Sequence, residues 1–164
     1  MSKVIRVFDY VNHPYEEVRN VLSSHASTVF SNATKVAALR AKDVASELHI
    51  KVAGIEIGTD ISISVSAIKD HPKKTKKPAT TRLHLEWKAS KMPNLFPFMK
   101  AELSIYPLTA TETQLDLEGN YEPPLGMLGK AIDAMVGNRI AEASVHHFIQ
   151  DVAVYLRTEL SKST

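Results

Sequence analysis

The chain contains no cysteine, which excludes thiol catalysis, Cys-ligated zinc, iron–sulfur clusters and disulfides together. No apolar run approaches the roughly 18 residues that span a bilayer, so stable membrane insertion is not expected. The opening Met1-Ser2-Lys3-Val4-Ile5-Arg6-Val7-Phe8-Asp9 alternates charged and apolar residues where a signal peptide would be continuously apolar, which predicts a cytoplasmic protein. Charge of one sign is hardly in surplus: 20 Lys and Arg face 18 Asp and Glu. A net +2 does not argue for nucleic acid, which usually calls for a basic stripe and aromatic or Arg readers. His-Glu-x-x-His, Gly-x-Ser-x-Gly, a phosphate-binding glycine loop and a dinucleotide fingerprint are all missing, so no cofactor and no standard catalytic centre is implied.

What is present is enough for one domain, residues 1–164. At 44% hydrophobic and 23% charged, the composition is that of a soluble globular protein, and a chain this long can bury roughly 70% of its unfolded surface. Residues 3–11 read as a strand. His13-Pro14-Tyr15-Glu16-Glu17-Val18-Arg19-Asn20-Val21-Leu22 reads as a short helix, with Pro14 near the first turn and two acids by the helix N-terminus. Residues 25–46 carry a weaker helical pattern.

From residue 47 onward apolar and polar residues alternate. Ile61, Ile63 and Val65, then Leu83, Leu85 and Trp87, then Met99, Ala101, Leu103 and Ile105, then Leu115, Leu117 and Tyr121 all share odd parity. The intervening Arg82, His84, Glu86, Lys100, Glu102, Asp116 and Glu118 are polar, which predicts an antiparallel meander with one wet face. Turns are expected at Asp70–Pro78, Pro93–Leu95 and Thr109–Thr113. The first of these, Lys69-Asp70-His71-Pro72-Lys73-Lys74-Thr75-Lys76-Lys77-Pro78, is the one strongly basic run; it reads as a solvated hairpin tip or as a contact for an anionic surface or partner.

After Tyr121 the double proline Pro123-Pro124 cannot continue a ladder, so the chain is expected to leave the sheet there. From about Asn138 to Leu160, Ala141, Val145, Phe148, Ile149, Val152 and Leu156 form one helical stripe. A helix of about 20 residues is roughly 30 Å long, enough to cross a sheet.

The strand running into Val11-Asn12-His13-Pro14, the strand Leu85-Glu86-Trp87, and above all Gly119-Asn120-Tyr121-Glu122-Pro123-Pro124-Leu125-Gly126 with Leu128-Gly129 resemble the START/Bet v 1-like (SRPBCC) superfamily, in its bacterial polyketide cyclase/dehydrase and lipid-transport-like branch. The resemblance implies an α+β helix-grip fold: a curved antiparallel sheet wrapped around a long C-terminal helix, with two short helices after the first strand. It also implies a cavity between sheet and helix. The first strand departs from the pattern at Asp9, a carboxylate on the inward parity of Ile5, Val7 and Val11.

Candidate ligand contacts are Asp9, Trp87, Met99, Leu103, Tyr121, Met127, Arg139 and Phe148. Trp87, Leu103, Tyr121 and Phe148 carry inward parity, and ordinary core packing is their competing role. Methionines adapt to varied apolar shapes, which suits Met99 and Met127 to a cavity mouth. Arg139 is either solvent-facing or the partner of Asp9 or of an anionic headgroup. Adjacent His146 and His147 lie about 100° apart on a helix and cannot chelate one ion together. The reading that follows is a non-enzymatic binding or carrier protein for a small hydrophobic molecule such as a lipid, polyketide or aromatic. A cyclase/dehydratase-like enzyme using the same cavity, with Asp9 or Tyr121 moving a proton, is one alternative. An interaction module that presents the sheet or basic hairpin to a protein partner is the other.

Overall fold

A computed structural model describes residues 3–47, 61–89, 99–121 and 134–162. Strand β1 (Lys3–Val11) buries Ile5, Val7 and Val11 and turns Val4, Phe8 and Tyr10 outward, as strict alternation requires. Pro14, extended at φ −61° and ψ 147°, caps helix α1 (Tyr15–Ser24), with Glu16 and Glu17 in the first turn where the helix dipole favours acids. Helix α2 (Ala26–Glu47) follows after a single residue and runs for 22 residues. His25 keeps the chain hydrogen-bonded across that joint: its N–H donates to the Val21 carbonyl and its own carbonyl accepts from Val29.

Strands β2 (Ile61–His71), β3 (Thr80–Ala89), β4 (Met99–Thr109) and β5 (Glu112–Tyr121) form the expected meander, and β1 pairs with β5. The sheet order is β1-β5-β4-β3-β2, antiparallel throughout. The register aligns odd-numbered positions in transverse rows. Ile63, Trp87 and Met99 make one row; Ile5, Gly119, Ala101, Leu85 and Val65 the next; then Val7, Leu117, Leu103 and Leu83; then Asp9, Leu115, Ile105 and Thr81. In the second row Gly119 permits close approach of β4 and β5, since a Cβ there would lie 2.9 Å from both the Ala101 Cβ and the Lys100 carbonyl oxygen. The odd parity holds in β3, β4 and β5. In β2 a bulge at Ser66 breaks it, setting Ala67 opposite His84 and Ile68 opposite Leu83.

Helix α3 (Ala134–Ser161) begins a turn earlier than the apolar stripe predicts and runs 28 residues, about 42 Å. Ala141, Val145, Phe148, Ile149, Val152 and Leu156 are all buried against β1, β5 and α2. Each fully buried Leu, Ile, Val or Phe contributes roughly 1.5–3 kcal/mol of apolar burial, so this stripe and the sheet rows form the core. The outer face carries Arg82–Glu102, His84–Glu102 and Lys100–Glu86 pairs at 3.6–3.7 Å. Exposed pairs of this kind are worth no more than about 1 kcal/mol each.

The β2–β3 connection is a hairpin tip: Lys74 and Lys77 exchange backbone hydrogen bonds around Thr75-Lys76, and residues 71–78 are exposed. The turn after β4 falls at Ala110-Thr111, as expected. Pro93–Leu95, Pro123-Pro124, Gly126, Met127 and Gly129 lie outside the described residues, as do the side chains of Met99 and Tyr121.

Candidate functional site

Of the candidate contacts, the structure brings Trp87 and Phe148 together. The Trp87 indole meets Phe148 edge-on, with ring centroids 5.0 Å apart and planes at 81°. Phe148 in turn stacks on Phe30 of α2 at 6.1 Å. This aromatic cluster joins β3, α3 and α2. The Trp87 Nε1–H donates to the Thr34 hydroxyl at 3.0 Å, and that hydroxyl donates to the Phe30 carbonyl at 2.7 Å. Both polar hydrogens are therefore used within the protein, and the cluster presents carbon to its surroundings.

Leu103 lies two rows deeper, fully buried between Leu83 and Leu117. It is separated from the Trp87 row by about 13 Å of strand. Asp9 lies deeper still, in the row of Thr81, about 20 Å along the strands from Trp87. Its carboxylate is engaged locally. It accepts from the Tyr10 backbone N–H at 2.7 Å and from Arg157 Nη2 at 3.1 Å, and the same guanidinium donates to the Tyr10 carbonyl. Both groups of Tyr10 that point away from β5 are thus covered, so Asp9 and Arg157 close one end of the free edge of β1. Arg139 is exposed, and the partner of Asp9 is Arg157 instead.

The deep end is closed. Val11, Thr113 and Thr81 are sealed beneath α1, whose Val18 and Leu22 are buried with them. A polar chain fastens this cap. Thr81 Oγ1 donates to Asp70 at 2.7 Å, so it must accept from the Tyr15 hydroxyl beside it, and Arg19 Nε donates to the same carboxylate at 2.8 Å. Arg19 and Thr81 together hold the Asp70 carboxyl down from 3.8 to about 2. A depressed carboxylate stabilises the fold above its unfolded value and loses that contribution as pH falls from about 4 through 2. Asp70 is nearly half exposed, so solvent screening limits the effect to about 0.5–1 kcal/mol. Asp70→Asn is accordingly expected to lower stability by that amount at pH 7 and by nothing measurable at pH 2, read from urea unfolding at both pH values. Equal losses at both would contradict the network.

The opposite end differs. In the sheet, Trp87, Ala101 and Ile5 keep 9%, 7% and 5% exposure, against 0% for Leu103, Ile105 and Leu115. On α3, Ala141 and Val145 keep 4% and 5%, and Ile149, Val152, Ala153 and Leu156 fall to 0%. Among the described core residues, residual exposure of 4–9% is therefore concentrated toward the Trp87 end, with Val7, Val21 and Leu160 as the exceptions. A concavity of about 520 Å³ lies on the outer face among Arg6, His84, Glu86, Lys100, Glu102 and Asp116. Its walls are the ion-paired side chains of the wet face.

Among the described residues no group of three or more His, Asp or Glu could hold a metal, and no helix is long and apolar enough to cross a membrane. Phe30, Thr34, Tyr15, Thr81 and Arg157 escaped the sequence reading, because each lies in a weakly periodic helix or takes its role from a distant strand.

No family model matches the chain, and no curated protein does. Among solved structures it is similar to a conserved protein from Geobacillus kaustophilus, at 14% identity over 96% of both chains with a TM-score of 0.49. It is also similar to a START superfamily protein from Mycobacterium smegmatis, at 11% identity over 94% of this chain and 97% of that one, TM-score 0.46. A third is the Zhui aromatase/cyclase from Streptomyces sp. R1128, at 14% identity over 99% and 95%, TM-score 0.48. The topology described above, an antiparallel sheet held against one long terminal helix with two helices after the first strand, is a helix-grip arrangement.

Proposed function

We propose that this chain is a non-enzymatic binding or carrier protein that takes one small hydrophobic molecule between the sheet and α3, through the Trp87 end. The observation that supports this reading is the uneven closure of the interior. Apolar residues of both layers keep residual exposure at Trp87, Ala101, Ile5 and Val145, while α1 seals the other end. Burial of apolar area at about 25 cal/mol per Å² supplies the driving force for a ligand without charged groups.

The absence of an enzymatic role rests on how the polar groups are spent. Among the described residues, the Trp87 N–H and the Thr34 hydroxyl are satisfied internally, and Asp9 and Asp70 are committed to the β1 edge and the α1 cap. A general acid or base must direct its proton or lone pair at the reacting atom, and these groups direct theirs at protein partners. Met99, Tyr121 and Met127 complete the proposed lining around Trp87 and Phe148, with Leu103 as its floor.

Native mass spectrometry of freshly purified protein tests the reading. A bound apolar molecule at one per chain, released by mild organic solvent, is expected. Bare protein, together with no mass shift on incubation with fatty acids or polycyclic aromatics, would overturn it.

A further inference from the structure

The positive charge of the chain is gathered in one place. Residues 69–78 hold five of its 20 Lys and Arg and one of its 18 Asp and Glu, so the rest of the chain carries more acid than base. The one acid, Asp70, is already engaged by Arg19 and Thr81. Lys73, Lys74, Lys76 and Lys77 are all exposed at the hairpin tip.

The backbone there opposes like charges. Lys74 N–H donates to the Lys77 carbonyl at 2.9 Å, and Lys77 N–H to the Lys74 carbonyl at 3.1 Å. Directly opposed residues of an antiparallel pair carry their side chains on one face about 5 Å apart, where like charges destabilise the pair. Pro72 and Pro78 bracket the tip. The arrangement concentrates charge at some expense of stability.

We infer that the tip of the β2–β3 hairpin is an electrostatic docking site for an anionic lipid surface. The residue types favour this partner over other anionic ones. Residues 69–78 contain no Phe, Tyr or Trp and no arginine. Single-stranded nucleic acid is held largely by base stacking, and base edges are read by bidentate arginine. Protein interfaces concentrate their energy in Trp, Tyr and Arg anchors within desolvated pockets. Lysine, a hydrated point charge, suits a diffuse layer of headgroup phosphates, where each one near the surface is worth about 1 kcal/mol, or about fivefold in affinity. A positive tip on a net-negative body also orients the molecule. The tip adjoins the Asp70–Thr81 end of the sheet, so docking would leave the Trp87 end facing away from the lipid.

Sedimentation of the full chain with vesicles of equal parts phosphatidylglycerol and phosphatidylcholine tests this at low ionic strength. Binding is expected, with loss at about 0.5 M salt and none on pure phosphatidylcholine. Lys74→Ser/Lys77→Ser should weaken it about 25-fold, and replacing all four tip lysines by several hundred-fold. The charge-matched Lys35→Ser/Lys162→Ser variant should bind as the unmodified chain does. Thermal melting of the quadruple variant should match the parent within about 0.5 kcal/mol, because solvated tip charges contribute little to folding. The lipid and salt arms use the unmodified chain and stand however the variants behave. Equal weakening by both double variants would overturn the inference, as would no binding to anionic vesicles at low salt or tighter binding to single-stranded RNA than to the vesicles.

Discussion

Phe148→Ala is expected to destabilise the chain by roughly 3–5 kcal/mol, the cost of removing a large aromatic from a core that cannot collapse around the gap. Phe148 is 2% exposed, stacks on Phe30 and receives the edge of Trp87, so it joins α2, α3 and β3 at one point. Aromatic pairing adds about 0.5–1.5 kcal/mol per contact beyond area burial, and both contacts disappear together. The loss should be visible as a lower urea midpoint with an unchanged slope. Phe148→Leu, which refills most of the volume, should recover more than half of it. A loss below about 1 kcal/mol for Phe148→Ala would show that the helix is not fastened here.

Asp9→Leu separates two accounts of the same residue. On inward parity alone, a carboxylate among Ile5, Val7 and Val11 is a misfit, and leucine should stabilise the strand. The structure makes the opposite prediction: a loss of about 1–3 kcal/mol, because the Tyr10 N–H loses its acceptor and the Arg157 guanidinium loses its counter-ion. The exposed end of β1 should then also associate with other chains, since Phe8 and Tyr10 flank it at 50% and 49% exposure. Chemical unfolding combined with light scattering checks both effects. Arg157→Ala alone should cost less, and the double variant should fall short of the sum of the singles. A stabilised, monodisperse Asp9→Leu would contradict the edge role.

Period-two alternation was readable in β3, β4 and β5 because one face is apolar and the other charged, leaving no ambiguity about which way each side chain turns. The stripe on α3 was readable for the corresponding reason at helical spacing. What alternation cannot convey is position along an element. Arg139 and Arg157 are 18 residues apart, five full turns of helix, and so lie on one face about 27 Å from each other. The sequence offers Arg139 as a partner for Asp9, and only the packed structure shows that Arg157 reaches it. Thr34 gave no signal, since one hydroxyl in a weakly amphipathic helix looks like any surface threonine until Trp87 is found bonded to it. The Ser66 bulge was hidden because Ser62, Ser64 and Ser66 continue the polar rhythm straight through it.

Titration of the single tryptophan with an apolar probe tests the central claim most directly. Trp87 lies at the end where the inner faces of sheet and helix keep their exposure, and no other indole contributes to the signal. A fatty-acid or polycyclic aromatic probe should shift or quench Trp87 emission saturably, at one molecule per chain. Ala101→Phe, which fills the neighbouring row, should weaken that binding roughly tenfold or more by overpacking the opening. Emission unmoved by every apolar probe, or a response identical in Ala101→Phe, would contradict a ligand site between the sheet and α3.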